Sequence, residues 1–359
     1  LWDRAPRQGL TRNVPAEAAL VDVVDVVDVH SHAVPASWPD LTSLGPGPWP
    51  WLRADSAREA TIMLGESEFR RITDACWLAD TRLADMDADG VDIQVVSPTP
   101  VFFCYDRDRT AAAEVASIFN DLTLEITAQA PDRLLPFCQV PLQDVDAACA
   151  ELDRSIASGH LGVEIGNHVG DTDLDHESVI TFLQHCAATD VPVFVHPWDM
   201  PSSPRMDRWM GQWLVGMPAE THLSILSLCL SGAFDRLPAS LRIAFAHGGG
   251  SFAFWLGRAD NAWAKRQDLV GADSAHPPSH YRGRFYVDSV VFEPAALRLL
   301  IEVIGADRVL MGSDYPYPLG ERPAGQVIRS CGLDSQVQAA LLGGNARAFL
   351  GAGRGPVAS

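Results

Sequence analysis

The chain has 359 residues, 47% of them hydrophobic, and its 27 Lys and Arg against 46 Asp and Glu give a formal net charge of −19. This length supports a large buried core within one domain. The acidic balance excludes a nucleic-acid or anionic-membrane surface, because such surfaces need clustered basic residues. We therefore expect a protein that acts on a small molecule.

Targeting and redox signals are sparse. Residues 1–20 contain no apolar run of signal-peptide length, and no stretch of 18 apolar residues occurs anywhere. We expect 1–20 and 353–359 to be tails on one domain spanning 21–352. The seven cysteines are scattered and form no C-x-x-C pair, which argues against disulfides and a thiolate zinc site. A cytoplasmic protein without membrane or nucleic-acid partners is expected.

Eight short runs rich in β-branched residues predict strands. In chain order they are 23–29, 91–97, 134–140, 161–166, 191–195, 241–246, 284–289 and 307–313. Helical periodicity predicts helices at 109–130, 143–158, 175–189, 219–236, 293–304 and 335–349. This alternation indicates a parallel sheet, either open or closed into a (β/α)₈ TIM-type barrel. Segments 36–78 and 199–218 each follow a strand, so we predict small insertions at the C-terminal face.

Polar side chains at four strand ends favour the barrel. His30 and His32 end the first strand and face the same side, because side chains alternate along a strand. His196 ends the fifth strand, His247 the sixth and Asp314 the eighth. In a TIM-type barrel these ends converge on one face. Imidazole and carboxylate suit zinc, so we predict one catalytic zinc bound by His30, His32, His196 and Asp314.

Three further polar residues lie at or near the ends of these strands. His247 precedes the glycines 248–250, which permit a tight turn. We predict that it is a general base toward water at the metal, with Asp314 as the second catalytic residue. A fifth ligand or a buried structural histidine is the alternative for His247. Glu164, on the fourth strand, either supports a second ion or makes an outer contact, and His168 follows the same strand closely.

Six segments carry a family resemblance: VDVHSHAVPASWPD, FRRITDACW, FVHPWDM, WLVGMPAET, FAHGGGSFAFWLGR and MGSDYPYPLGE. Together they resemble the aminocarboxymuconate-semialdehyde decarboxylase family of the amidohydrolase superfamily. The resemblance implies a non-oxidative decarboxylase of 2-amino-3-carboxymuconate-6-semialdehyde, in 3-hydroxyanthranilate and tryptophan breakdown or a related biosynthetic pathway. It also implies a single ion, because dinuclear relatives bridge two ions with a lysine on the fourth strand and Lys265 is the only lysine here.

The resemblance extends to residues that bind substrate. Arg70 matches an arginine that binds a substrate carboxylate, and Arg258 matches one supplied by a partner subunit, which implies a homodimer. Guanidinium suits this task because it donates two parallel hydrogen bonds to a carboxylate. Arg71 is the alternative to Arg70. Trp198 matches a tryptophan beside the metal, and Tyr317 stands where the family has Phe, which favours an altered substrate.

Other functions remain open. A related decarboxylase of a hydroxybenzoate or a substituted muconate fits Tyr317 and the divergent segment 40–66. A zinc hydrolase of a lactone or amide would use the same metal-activated water. A non-catalytic metal-binding protein is the third alternative. Product analysis separates the first two classes, because only decarboxylation releases CO₂ without a net addition of water.

Overall fold

The computed structural model of the chain describes residues 25–351. Within them the strands are β1 (Val27–Asp28), β2 (His32–Ala33), β3 (Pro50–Ala54), β4 (Glu59–Leu64), β5 (Ser67–Thr73), β6 (Ile93–Pro98), β7 (Leu134–Cys138), β8 (Gly162–Gly166), β9 (His168–Val169), β10 (Thr172–Asp173), β11 (Val193–His196), β12 (Ile243–Phe245), β13 (Tyr286–Asp288) and β14 (Val309–Leu310). Each of the eight predicted strands overlaps one of these, so those predictions are confirmed. The predicted tails lie outside the described residues.

The helices of the described residues are α1 (Ala79–Asp89), α2 (Arg109–Thr127), α3 (Val145–Ser158), α4 (Glu177–Ala188), α5 (Met217–Leu230), α6 (Ala233–Arg236), α7 (Phe252–Lys265), α8 (Pro294–Val303), α9 (Gln326–Ser330), α10 (Ser335–Ala339) and α11 (Asn345–Leu350). Side-chain caps fix several starts. Asp108 accepts hydrogen bonds from the first turn of α2, and Asp144 does the same for α3. Gly159, at φ 116°, ends α3 in a conformation that favours glycine.

The central sheet is a parallel barrel. Its strand order is β1-β6-β7-β8-β11-β12-β13-β14, and β2 continues the first strand beside β6. Backbone hydrogen bonds join the last strand to the first: Val29 N–H donates to Met311 O at 3.0 Å, and Asp314 N–H donates to His30 O at 2.9 Å. The sheet therefore closes, and the predicted TIM-type barrel is confirmed.

The core has two layers. Side chains inside the barrel include Val29, Val95, Phe137 and Phe194, all nearly fully buried, and complete burial of such a side chain stabilises the fold by roughly 1.5–3 kcal/mol. Residues of α11 join this inner cluster, and the ring of Phe349 packs 5.6 Å from that of Tyr286 at the start of β13. Helix α11 therefore covers the N-terminal end, which leaves the C-terminal end for the site.

Segment 36–78, predicted as an insertion, contains a three-stranded antiparallel sheet in the order β3-β4-β5. Four consecutive residues of β4, 60–63, are buried, and Ile62 among them belongs to a cluster with Phe102, in the turn after β6, and Phe119 of α2. This small sheet is thereby held beside the loop that follows β6. It forms one wall above the carboxyl ends of the barrel strands.

Segment 199–218, the second predicted insertion, ends in a π-helical turn at Gln212–Gly216 that runs into α5. The combined helix Gln212–Leu230 is the only one in residues 25–351 that is long and apolar enough to cross a membrane by length and composition. Its residues Ile225 and Leu228 are fully buried within the main core. A helix packed on a barrel meets the same criteria, so this is weak evidence for a membrane span.

Candidate metal centre and active-site cavity

Five polar side chains meet at the carboxyl ends of the barrel strands. His30 lies between β1 and β2, His32 begins β2, His196 ends β11, His247 follows β12, and Asp314 follows β14. They come from four places in the chain that are far apart in sequence. Closure of the barrel brings all five together, as their positions at strand ends predict.

The donor atoms of this cluster face one another. Nε2 of His30 lies 3.2 Å from Nε2 of His32 and 3.6 Å from Oδ1 of Asp314. Nε2 of His32 lies 3.4 Å from the same Asp314 oxygen. Donors bound to one tetrahedral zinc at about 2.0–2.1 Å are about 3.3 Å apart. The separations and the chemistry of these donors fit one divalent cation.

The cluster offers five donors, whereas four protein donors and one water molecule already make a zinc ion five-coordinate. One donor atom from each of His30, His196, His247 and Asp314 lies within 4.8 Å of the other three. His247 points Nε2 at Oδ2 of Asp314, 3.6 Å away. His32 makes the shorter contacts with His30 and Asp314. His32 and His247 therefore compete geometrically for the fourth ligand position.

Burial and neighbouring carboxylates act in opposite directions on the pKa values of these imidazoles. Burial lowers the pKa of His32 to about 4 and holds the pKa of His196 well below its usual range. Both side chains are therefore neutral near pH 7, which is the form that binds a metal. Burial also acts to lower the pKa of His30, but the hydrogen bond to Asp288 and the charge of Asp314 outweigh it and raise that pKa to about 9.

Asp288 is a site residue that the sequence analysis did not identify. Its Oδ2 accepts a hydrogen bond from Nδ1 of His30 at 2.6 Å, and its Oδ1 accepts from Gly248 N–H at 2.8 Å. A carboxylate on the outer nitrogen of a ligating histidine fixes the ring orientation and tautomer. The available signal was its position, because Asp288 is the last residue of β13, at the same end of the barrel as the ligand set.

The backbone at two site residues has a left-handed conformation. His247 has φ 55° and Asp314 has φ 60°, and such residues cost about 1–3 kcal/mol unless their surroundings hold them. The three glycines after His247 also have positive φ. A Cβ on Gly248 would lie 2.5 Å from Cγ1 of Val291, and one on Gly250 would lie 2.2 Å from Pro218 O. The HGGG turn therefore requires glycine.

A cavity of about 500 Å³ lies beside the cluster, with His32, His196 and Asp314 in its lining. Arg70 lines the same cavity. Its guanidinium carbon is 4.3 Å from the ring centroid of Tyr317 and 5.1 Å from that of Trp213. Among the described residues no carboxylate pairs with Arg70. Its guanidinium group is therefore available to a carboxylate of a bound molecule.

Trp198 and Tyr317 also line the cavity. Trp198 contacts the ring of Phe69, 5.9 Å away between centroids, so its indole lies against the wall that carries Arg70. The Tyr317 hydroxyl is hydrogen-bonded to Thr99 Oγ1, and that oxygen itself donates to Ala33 O. The hydroxyl that distinguishes Tyr from Phe is thus bound to Thr99, which also lines the cavity.

The remaining predicted arginines lie elsewhere. Arg71 is exposed on β5, with its side chain on the face opposite Arg70. Arg258 is exposed on α7, with its guanidinium carbon 5.8 Å from the centroid of the Trp255 ring. It is not among the residues that line this cavity. Arg70 is therefore the cavity arginine of the adjacent pair, and Arg258 lies outside this cavity.

Arg107 and His168 also line the cavity. Arg107 was not singled out from the sequence, yet its guanidinium carbon lies 4.8 Å from the Trp49 ring centroid, and its buried Nε has no partner among the described residues. His168 lines the cavity, but Nδ1 and Nε2 contact Gly170 O at 2.7 Å and Asp199 O at 3.1 Å. Its ring nitrogens are thus occupied by the backbone. Neither residue joins the metal cluster.

Comparison with known proteins agrees with this geometry. The amidohydrolase family model matches residues 27–352. A 2-amino-3-carboxymuconate-6-semialdehyde decarboxylase from Dictyostelium discoideum is 39% identical over 90% of this chain and 91% of its own. The crystal structure of 5-carboxyvanillate decarboxylase from Sphingomonas paucimobilis has a TM-score of 0.75 at 27% identity, over 91% of this chain and 99% of its own. A dihydroxybenzoic acid decarboxylase from Polaromonas, solved with bound manganese, has a TM-score of 0.72 at 23% identity, covering 91% and 97%.

A closed parallel barrel with a histidine and aspartate cluster at its carboxyl end is the architecture of a metal-dependent lyase or hydrolase. The chain belongs to the amidohydrolase family. Within that family it is a carboxy-lyase of the aminocarboxymuconate-semialdehyde and resorcylate decarboxylase type. The resemblance seen in the sequence motifs is thereby confirmed.

Proposed function

We propose that the chain removes CO₂ non-oxidatively from 2-amino-3-carboxymuconate-6-semialdehyde or a close carboxylated analogue. The observation that carries this proposal is Arg70, which pairs with no carboxylate in residues 25–351 and shares a cavity with His32, His196 and Asp314. A carboxylate bound to that arginine would lie beside the metal centre. The 39% identity to the Dictyostelium enzyme supports the semialdehyde as substrate. The free cysteines are consistent with a cytoplasmic site of action.

We assign His30, His32, His196 and Asp314 as the ligands of one zinc ion. Imidazole nitrogens outnumber the carboxylate in this set, and such sites suit zinc, whereas manganese favours oxygen ligands. When bound, the ion would act as a Lewis acid and lower the pKa of a water molecule. Because the Polaromonas structure contains manganese, the activity of the zinc-loaded protein should be compared with that of the manganese-loaded protein.

The chain's own residues would move the proton and hold the substrate. Decarboxylation breaks one C–C bond, leaves its electron pair on the substrate carbon, and requires a proton at that carbon. His247 is the proposed proton carrier, because its Nε2 faces Asp314 at 3.6 Å. His247 would take this proton from solvent and deliver it to the carbon as CO₂ leaves, so the sum of the reaction is replacement of CO₂ by one proton and no water is added. Arg70 would hold a carboxylate, with Trp198 and Tyr317 as the walls of the cavity.

A homodimer would supply the second arginine. Arg258 lies on α7 next to Phe254 and Trp255, which are 69% and 44% exposed. Exposed aromatic side chains around an arginine are typical of a protein interface. We propose that Arg258 of one subunit enters the cavity of the other. A mixed dimer of Arg258→Ala and Asp314→Ala subunits should then regain activity at one site, and a dimer in which neither site regains activity would refute the exchange.

A hydroxybenzoate or related aromatic acid is the second candidate substrate. It is favoured by the likeness to 5-carboxyvanillate decarboxylase and by the aromatic rings of Phe69, Trp198 and Trp213 in the cavity lining. The test supplies zinc-loaded protein with freshly ring-cleaved 3-hydroxyanthranilate or with 2,6-dihydroxybenzoate, and measures CO₂ and product mass. One CO₂ for each semialdehyde consumed is expected. Turnover of the benzoate alone would transfer the assignment to the aromatic acid, and a product heavier by one water would indicate a hydrolase.

A further inference from the structure

Two buried polar atoms beside the metal cluster face each other without partners. Nδ1 of His32 and Oε1 of Glu164 are both buried, and neither has a hydrogen-bond partner among the described residues. They lie 3.9 Å apart. Glu164 is in the middle of β8, is 1% exposed, and directs its carboxyl group toward His32. A buried donor or acceptor without a partner destabilises the fold, so a hydrogen bond between these two groups would remove a cost from both.

The two nitrogens of the His32 ring face different groups. Nε2 points at the cluster, 3.2 Å from Nε2 of His30 and 3.4 Å from Asp314. Nδ1 is the nitrogen that faces Glu164. Glu164 is therefore on the outer nitrogen of His32, away from the cluster.

His30 has the same arrangement, and there the hydrogen bond between imidazole and carboxylate is formed. Its Nε2 faces Asp314, and its Nδ1 is hydrogen-bonded to Asp288 at 2.6 Å. The two histidines of the H-x-H motif thus each have a carboxylate on the nitrogen that points away from the cluster. For His32 the gap exceeds a normal hydrogen bond by about 1 Å, a distance that a small rotation of the Glu164 side chain would close.

We propose that Glu164 positions His32 for metal binding. Its carboxyl group accepts the Nδ1–H of His32, which fixes the ring tautomer and presents the Nε2 lone pair to the ion. This role rests on the proposed metal centre and makes His32 the fourth ligand, leaving His247 free to carry a proton. Glu164 is then not a ligand of a second ion, because the His32 ring lies between its carboxylate and the other donors.

The test measures metal affinity without substrate. Glu164→Leu has no acceptor and should weaken zinc binding about 10- to 100-fold, measured by competition with a chromogenic chelator. Glu164→Gln keeps an acceptor oxygen and should restore affinity to within about threefold of the parent protein. Glu151→Gln is the control, because Glu151 is a buried carboxylate on α3 that is paired with Arg154. That variant should leave zinc affinity unchanged.

Cobalt substitution adds a readout that a purely structural role would not alter. The visible spectrum of the cobalt protein should shift in Glu164→Leu and match the parent in Glu164→Gln, because it reports the ligand geometry. If Glu164→Leu does not fold, Glu164→Met is the second acceptor-free variant. The proposal would be overturned if Glu164→Leu and Glu164→Met bound zinc as tightly as the parent protein. It would also be overturned if the parent protein bound two ions per chain and these variants bound only one. If the protein proved not to be a decarboxylase, these measurements would still test the role of Glu164, because they use no substrate.

Discussion

Arg82 is a fully buried arginine that is hydrogen-bonded to the H-x-H segment. It extends from α1 and donates hydrogen bonds to Ser31 Oγ at 3.2 Å, Gln94 Oε1 at 2.7 Å, His32 O at 2.5 Å and Ala75 O at 3.3 Å. Arg82→Met would remove all four bonds and leave the acceptors buried without a donor. At about 1 kcal/mol for each bond, the expected loss of unfolding free energy is about 4 kcal/mol.

Arg133→Met is the matched control for this prediction. Arg133 also makes several bonds, to Asp87 Oδ1 at 3.0 Å and Val91 O at 2.9 Å among others, but its side chain is 35% exposed. Water can replace those bonds, so a loss of about 1 kcal/mol or less is expected. Urea-induced unfolding of both metal-free variants measures the difference. If Arg82→Met were as stable as Arg133→Met, the buried network would not support the site as described.

Three further predictions concern the site. Asp288→Asn should weaken zinc binding about 10- to 100-fold, because Asp288 holds Nδ1 of His30, and unchanged affinity in a chelator titration would contradict this. Arg70→Ala should lower kcat/KM about 10- to 100-fold through loss of a charged hydrogen bond, whereas Arg71→Ala, with its side chain on the opposite exposed face, should leave steady-state kinetics nearly unchanged. His247→Ala should keep its zinc and lose about 10²- to 10⁴-fold in kcat; loss of zinc, measured by metal analysis, would show that His247 is a ligand.

The barrel and its metal cluster could be predicted because both depend on local sequence patterns. Each strand is a short run of β-branched residues, and each predicted ligand stands where such a run ends. His196 follows VPVFV, for example, and His247 follows LRIAFA. In a parallel barrel all strand ends lie on one face, so a residue's position along its own strand predicts its place in the site.

Pairings between distant residues could not be predicted in the same way. Asp288 contacts His30 across 258 residues of chain, and Arg82 contacts Ser31 across 51. No local pattern specifies either partner, because both depend on how neighbouring strands and helices are registered. The 36–78 insertion is similar, because burial along β4 does not alternate: residues 60–63 are all buried, so no period of two marks this strand.

Helix boundaries were also harder to predict than helices. The predicted helix 219–236 breaks into α5 and α6 at Gly232, which has φ 69°. The predicted helix 335–349 is interrupted by a π-helical turn at Ala340–Gly344. Helix α7 was not predicted, although it begins directly after the HGGG turn. Glycine conformations set by tertiary contacts account for the first break, and periodicity alone does not report them.

Locating the metal by X-ray diffraction tests the central claim most directly. Crystals of the zinc-loaded protein, measured above and below the zinc absorption edge, should show one anomalous peak per chain. That peak should lie within bonding distance of His30, His32, His196 and Asp314, with His247 nearby but not bonded. Two peaks per chain, or a peak bound by residues outside this cluster, would contradict a single ion held at the mouth of the barrel.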